Sequence, residues 1–165
     1  MEDVLCDVST AVADILGLPV KLDNSGQLHG CTTAKKNEAL SLQPASFWED
    51  LIPLPDFNDI RSALLATGIP IEVLTSGHSS DSESGKQAWL TNYFPESKLT
   101  LIRNKHVLAT KHSTLIDTHP GALQAFAREG GQTILIPQPW QKNYKPHPNI
   151  KQFLTDRIAA VRALV

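Results

Sequence analysis

Three short apolar runs in this chain end on side chains able to do chemistry. The run 4–6 ends on Asp7, the run 70–74 on Thr75 and Ser76, and the run 114–116 on Asp117 and Thr118. Apolar runs of this length with polar ends read as buried strands of a parallel sheet. Ligands of an open parallel sheet bind outside the carboxyl ends of its strands, so these side chains are expected at the binding edge. Lys105 and Lys111 lie between the third and fourth expected strands. A carboxylate serves as nucleophile or hard oxygen ligand, and hydroxyl and ammonium groups hold negative charge. The set suits a small anionic substrate.

The elements that must position these residues follow from periodicity. After Asp7 a helix carries Val12, Ile15 and Leu16, with Ser9 or Thr10 as its N-cap and Gly17 and Pro19 as its stop. Residues 21–46 lose the pattern around Gly26 and Gly30 and read as a small lid or a long loop. Phe57, Ile60, Leu64 and Leu65 predict a helix over 56–67, and a polar loop spans 77–84 before helical spacing resumes over 86–94. A third strand near 99–102, a fourth at 114–116, a helix at 119–129 and a fifth strand at 133–136 follow, and the stripe Phe153, Leu154, Ile158, Val161 and Leu164 makes a closing helix. Strands alternating with helices imply βαβ units, hence an α/β fold with a parallel sheet covered on both faces.

At 165 residues, 41% hydrophobic and 19% charged, the chain has ordinary globular composition and is expected to fold as one domain, 1–165, with 20–50 as a small cap or loop insertion. No apolar run reaches the roughly 18–20 residues of a membrane span, and the first residues lack a basic and apolar leader, so the expected location is the cytoplasm. Cys6 and Cys31 are then expected as reduced thiols. A net charge of −2 offers no field for a nucleic acid polymer.

The order of motifs resembles the haloacid dehalogenase superfamily: an Asp closing the first strand, a Thr or Ser closing the second, a Lys, and an acid closing a later strand. Further landmarks are similar to the 5'(3')-deoxyribonucleotidases. They are Phe47–Trp48–Glu49–Asp50–Leu51 through Pro55, Val73–Leu74–Thr75–Ser76, Lys86–Gln87–Ala88–Trp89–Leu90, Leu115–Ile116–Asp117, and Gly130–Gly131 with Thr133–Ile134–Leu135. The likeness covers roughly residues 3–140, leaving the polar stretch 21–46 and the C-terminal helix outside it. It implies a Rossmannoid three-layer fold with a central parallel sheet and a minimal cap. It also implies a Mg²⁺-dependent phosphatase acting on a small phosphate ester, a nucleoside monophosphate, through an aspartyl-phosphate.

In that reading Asp7 is the nucleophile and a Mg²⁺ ligand, Thr75 and Lys105 hold the transferred phosphoryl group, and Asp117 completes the metal shell. Lys111 is the alternative to Lys105. Thr10, Phe47, Trp48 and Ser76 are the expected substrate contacts. Two positions depart from the family. Ser9 stands, among the metal and catalytic positions, where the second Asp of an Asp-x-Asp-Gly motif protonates the leaving oxygen, and Thr118 replaces the second of two adjacent acids. A hydroxyl is a poor general acid, and losing one costs about 10²–10⁴-fold in rate. The resemblance therefore implies weak or specialised activity, or a catalytically inactive module that binds a nucleotide or a protein partner.

Plainer roles compete for the same residues. Asp7 can simply cap the following helix, and Phe47 and Trp48 can be packing. The six histidines show no metal-ligand spacing. Lys21, Lys35 and Lys36 suit a solvated face, and the turn at 77–80 lacks the lysine-bearing helix start of a phosphate loop.

Overall fold

The computed structural model describes residues 1–23, 27–138 and 148–163. Along the chain run α1 (Val8–Leu16), α2 (Thr33–Ser41), α3 (Ala45–Glu49), α4 (Phe57–Leu65), β1 (Glu72–Thr75), α5 (Ser80–Tyr93), β2 (Lys98–Leu101), a 3₁₀ turn (Lys105–Leu108), β3 (Thr114–Asp117), α6 (Pro120–Arg128), β4 (Gln132–Leu135) and α7 (Ile150–Arg162). The class is α/β. The chain forms two compact units, Met1–Pro55 with Pro70–Arg103, and Asp56–Ile69 with Asn104–Val165.

The first unit holds the βαβ element β1–α5–β2. β1 and β2 pair in parallel, with Glu72 opposite Lys98 and Thr75 opposite Leu101. Four alternating residues, with Val73 and Thr75 buried, make β1. α5 begins at Ser80, inside the stretch expected as a polar loop. The reason is local chemistry. Ser79 Oγ accepts from Ser82 N at 3.2 Å while Ser82 Oγ accepts from Ser79 N at 3.0 Å, a reciprocal cap that satisfies two backbone donors. The buried stripe of α5 is Ser82, Gly85, Lys86, Trp89 and Leu90. It packs on α3 so closely that a Cβ on Gly85 would stand 2.2 Å from Ala45 O and 2.7 Å from Trp48 Cβ.

Residues 4–6 do not form the expected first strand. Val4 N and Leu5 N both donate to Met1 O, and Asp3 takes a positive φ of 54°, so the segment turns back on itself. What remains of extended pairing is two isolated bridges of Cys6, a parallel one to Glu2 and an antiparallel one to Pro53, the latter flanked by Asp7 N to Ile52 O and Leu54 N to Leu5 O. α1 starts at Val8, two residues before the expected start. Asp7 rather than Ser9 or Thr10 is its N-cap, its Oδ1 accepting from Thr10 N at 2.9 Å. Gly17 ends the helix in the left-handed conformation that glycine takes without a Cβ penalty. The 20–50 segment, expected as a lid or loop, carries α2, capped by Thr32, and α3. Trp48, Trp89, Phe94, Leu90, Leu40, Val8 and Val12 make this unit's core, and Trp89 Nε1 donates to Leu51 O at 2.7 Å.

The second unit repeats the device as β3–α6–β4, with Thr114 opposite Gln132 and Asp117 opposite Leu135 in parallel register. Pro120 opens α6 at a position where no backbone N–H is needed. Gly131 lets the chain return past Phe126, whose ring a Cβ there would meet at 2.1 Å. Phe57, Ile60 and Ala63 of α4 and Ile150, Leu154 and Ile158 of α7 are the buried faces of two helices that pack together. Among the described residues the strands thus form two two-stranded parallel sheets, in place of the single central sheet with 4–6 in its middle.

Candidate functional site

β1 ends by pointing Thr75 into a buried polar cluster that periodicity alone does not disclose. Lys86, on the buried stripe of α5, is fully enclosed, and its ammonium meets Glu2 Oε1 at 2.6 Å, Ser76 O at 2.6 Å and Thr75 Oγ1 at 3.2 Å. Its three N–H donors thus have three acceptors. Thr75 Oγ1 in turn donates to Glu2 Oε2 at 2.8 Å. Burial raises the Glu2 carboxyl pKa, but the Met1 ammonium, the Lys86 charge and the donated hydrogen bonds outweigh it and bring the value down to about 2.

Aromatic rings close the cluster. The Lys86 Nζ lies 4.3 Å from the centre of the Trp48 ring, Phe47 meets Trp48 edge-on at 5.2 Å, and His78 stacks on it at 5.5 Å with planes 10° apart. Trp48 is completely buried, and among the described residues its Nε1 finds no hydrogen-bond partner. The half-buried His78 has its pKa pushed down, first by burial and then by the Lys86 charge.

Asp7, Ser9 and Thr10 occupy the start of α1. One Asp7 oxygen is engaged by its capping bond to Thr10 N. Ser9 is buried, and Asp3 grips it twice: Ser9 N donates to Asp3 Oδ1 and Ser9 Oγ to Asp3 Oδ2, both at 3.0 Å.

In the second unit β3 delivers Asp117, nearly fully buried. Its Oδ2 accepts from Lys105 Nζ at 2.7 Å and its Oδ1 from His119 N at 3.0 Å, with His119 Nδ1 3.4 Å away. Burial raises the Asp117 pKa, yet the bonds from His119 and the charge of Lys105 hold it well below the usual carboxylate range. Thr118 is buried beside it, Oγ1 3.1 Å from His119 Nδ1. Lys105 starts the 3₁₀ turn, while Lys111 is an exposed residue of the loop before β3.

The sequence-derived residues are therefore gathered unit by unit: Thr75 and Ser76 with Trp48 and Phe47 nearby, Asp7 with Thr10, and Lys105 with Asp117. Glu2 and Lys86 were missed. The sequence of α5 carries little apolar periodicity, so burial of Lys86 with Ser82, Gly85 and Trp89 was not signalled by its pattern. Nothing local marks Glu2 as its partner, 84 residues away.

Mg²⁺ prefers hard oxygen ligands, and Asp7 and Asp117 have the right donor chemistry. Among the described residues, however, no three His, Cys, Asp or Glu side chains cluster, and both Asp117 oxygens already serve Lys105 and His119. Cys6 and Cys31 are buried free thiols, and burial pushes the Cys6 thiol far up, away from reactivity. Among the described residues no helix is long and apolar enough to cross a membrane.

The fold and these clusters define an α/β protein whose strand ends carry buried ion pairs. Searches with protein-family models and against curated proteins returned no match to the chain.

Proposed function

We propose that this chain is a haloacid-dehalogenase-like phosphatase of the cytoplasm, resembling 5'(3')-deoxyribonucleotidases, that turns over nucleoside monophosphates slowly through Asp7. The observation that carries the reading is the Lys105–Asp117 pair. The motif order selects these two residues, and they meet at 2.7 Å at the carboxyl end of β3, where a parallel sheet binds its ligands. Thr75 and Ser76 at the end of β1 support it. Mg²⁺ belongs to this reading through the resemblance alone.

A second reading, a binding module without turnover, is favoured by the state of Ser9. Its hydroxyl is committed to Asp3 and can neither protonate a leaving oxygen nor activate water as a carboxyl group would. The two readings separate in a phosphate-release assay over nucleoside monophosphates, with and without Mg²⁺. The phosphatase reading expects slow, Mg²⁺-dependent release that falls by about 10²-fold or more in Asp7→Asn. Equal release from wild type and Asp7→Asn rejects it. Saturable binding of the same nucleotides, measured by calorimetry, then supports the module.

A further inference from the structure

We propose that the Glu2 carboxylate is an internal anion seated in an oxyanion site made by the Thr75 hydroxyl and the Lys86 ammonium, and that an oxyanion ligand binds there by displacing it. The inference rests on the phosphate-handling reading for the identity of the ligand, but its geometry stands on this cluster alone.

The arrangement has the features of an occupied anion site. Lys86 is wholly buried, and of its three acceptors only Glu2 is negative; Thr75 Oγ1 and Ser76 O are neutral. A buried ammonium without an anion is strongly disfavoured, so some anion must be present. Glu2 meets the site with both oxygens, one on Lys86 Nζ at 2.6 Å and the other on Thr75 Oγ1 at 2.8 Å. Two oxygens of a phosphate can present the same pair of acceptors.

The occupant is also placed to leave. Lys86 has 0% of its side chain exposed and Glu2 22%, so of the pair only the glutamate side chain reaches solvent. Glu2 belongs to no helix or named strand; it sits in the turn that includes Asp3 at positive φ and is tied by a single isolated bridge to Cys6. Displacement takes the form of a swing of the Glu2 side chain, because the flanking backbone is held: Met1 N donates to Leu74 O, Met1 O accepts from Val4 N and Leu5 N, and Asp3 grips Ser9. The Lys86 stem and Thr75 are held by α5 and β1.

Inorganic phosphate is the probe, at constant ionic strength, with the melting temperature followed as phosphate is raised. Wild type and Glu2→Gln are compared with Glu2→Gln/Lys86→Met, which removes both charges at similar volume. Glu2→Gln leaves the ammonium unpaired, so it should melt lower without phosphate and regain stability along a saturating curve, with a Kd on the order of 10-fold or more below that of wild type. The double variant should fold and ignore phosphate. If Glu2→Gln needs phosphate in order to fold, the proposal is supported; if it stays unfolded at saturating phosphate, the proposal fails. It also fails if Glu2→Gln and wild type respond alike, or if the double variant responds as Glu2→Gln does. Because binding is read without turnover, this result is independent of the Asp7→Asn assay, and either idea can fall alone.

Discussion

Replacing Gly85 by alanine sets two opposed effects against each other inside α5, and the structure decides the sign. In an open helix interior, alanine is favoured over glycine by about 1 kcal/mol. At Gly85 the added methyl would stand 2.2 Å from the Ala45 carbonyl oxygen, 3.0 Å from its carbonyl carbon and 2.7 Å from Trp48 Cβ. Two of these atoms are backbone and the third anchors a fully buried ring, so none can swing aside. Relief requires α3 and α5 to separate, which loosens Trp48 and Trp89 together. Overpacking of this kind costs about 1–3 kcal/mol, and a backbone clash belongs at or above the upper end. After the propensity gain, a net loss of about 2 kcal/mol or more is expected. Gly121 is the control: it is helical and exposed, with nothing within 4 Å of an added Cβ, so Gly121→Ala should be neutral or stabilising by a few tenths of a kcal/mol. Urea denaturation with both variants, compared at equal m-value, measures the difference. A Gly85→Ala protein as stable as wild type would refute the close approach of α3 and α5.

Two further outcomes follow from the charges. Glu2 and Asp117 both have pKa values lowered by folding, so the stability they contribute is complete above their unfolded values of 4.5 and 3.8 and drains away as pH falls, for Glu2 through about 2. Unfolding free energy should therefore drop steeply on acidification below about pH 4, and less steeply in Asp117→Asn; equal slopes would remove Asp117 from the account. Ser9→Asp, the substitution that restores the family's missing acid, should destabilise at neutral pH, because the new carboxylate lands against Asp3, now 3.0 Å from the serine hydroxyl. Asp3→Asn in the same chain should recover most of that loss in a thermal melt, and no recovery would mean that the clash is steric rather than electrostatic.

The alternation of strands and helices was legible because it is written in local periodicity. Val73 and Thr75 alternate inward on β1, both βαβ elements are found, and the helix read from Phe57, Ile60, Leu64 and Leu65 forms as α4, though it buries Ala63 in place of Leu65. The motif order singled out Lys105 and Asp117 without pairing them; the structure joins them, twelve residues apart, in one ion pair. The segment 4–6 was misread for a reason that periodicity cannot see. An apolar run becomes a strand only if a neighbour offers its backbone, and here the Met1 carbonyl takes the Val4 and Leu5 amides first. The serines at 79 and 82 likewise turn an expected loop into the first turn of α5 through a reciprocal cap.

Sequence by itself determined the α/β class and the strand ends that carry Thr75 and Asp117. Only the tertiary structure decided which anion Lys86 meets, which hydroxyls are already spent, and that Gly85 must lack a side chain. Apart from Ser9 with Asp3, six positions apart, these depend on contacts between residues 40 to 84 positions apart, such as Ala45 with Gly85 and Glu2 with Lys86. The energy of a buried charge or a forbidden methyl is set by whatever atoms fill the space around it once water has been removed, and that surrounding is not a property of any local stretch of chain.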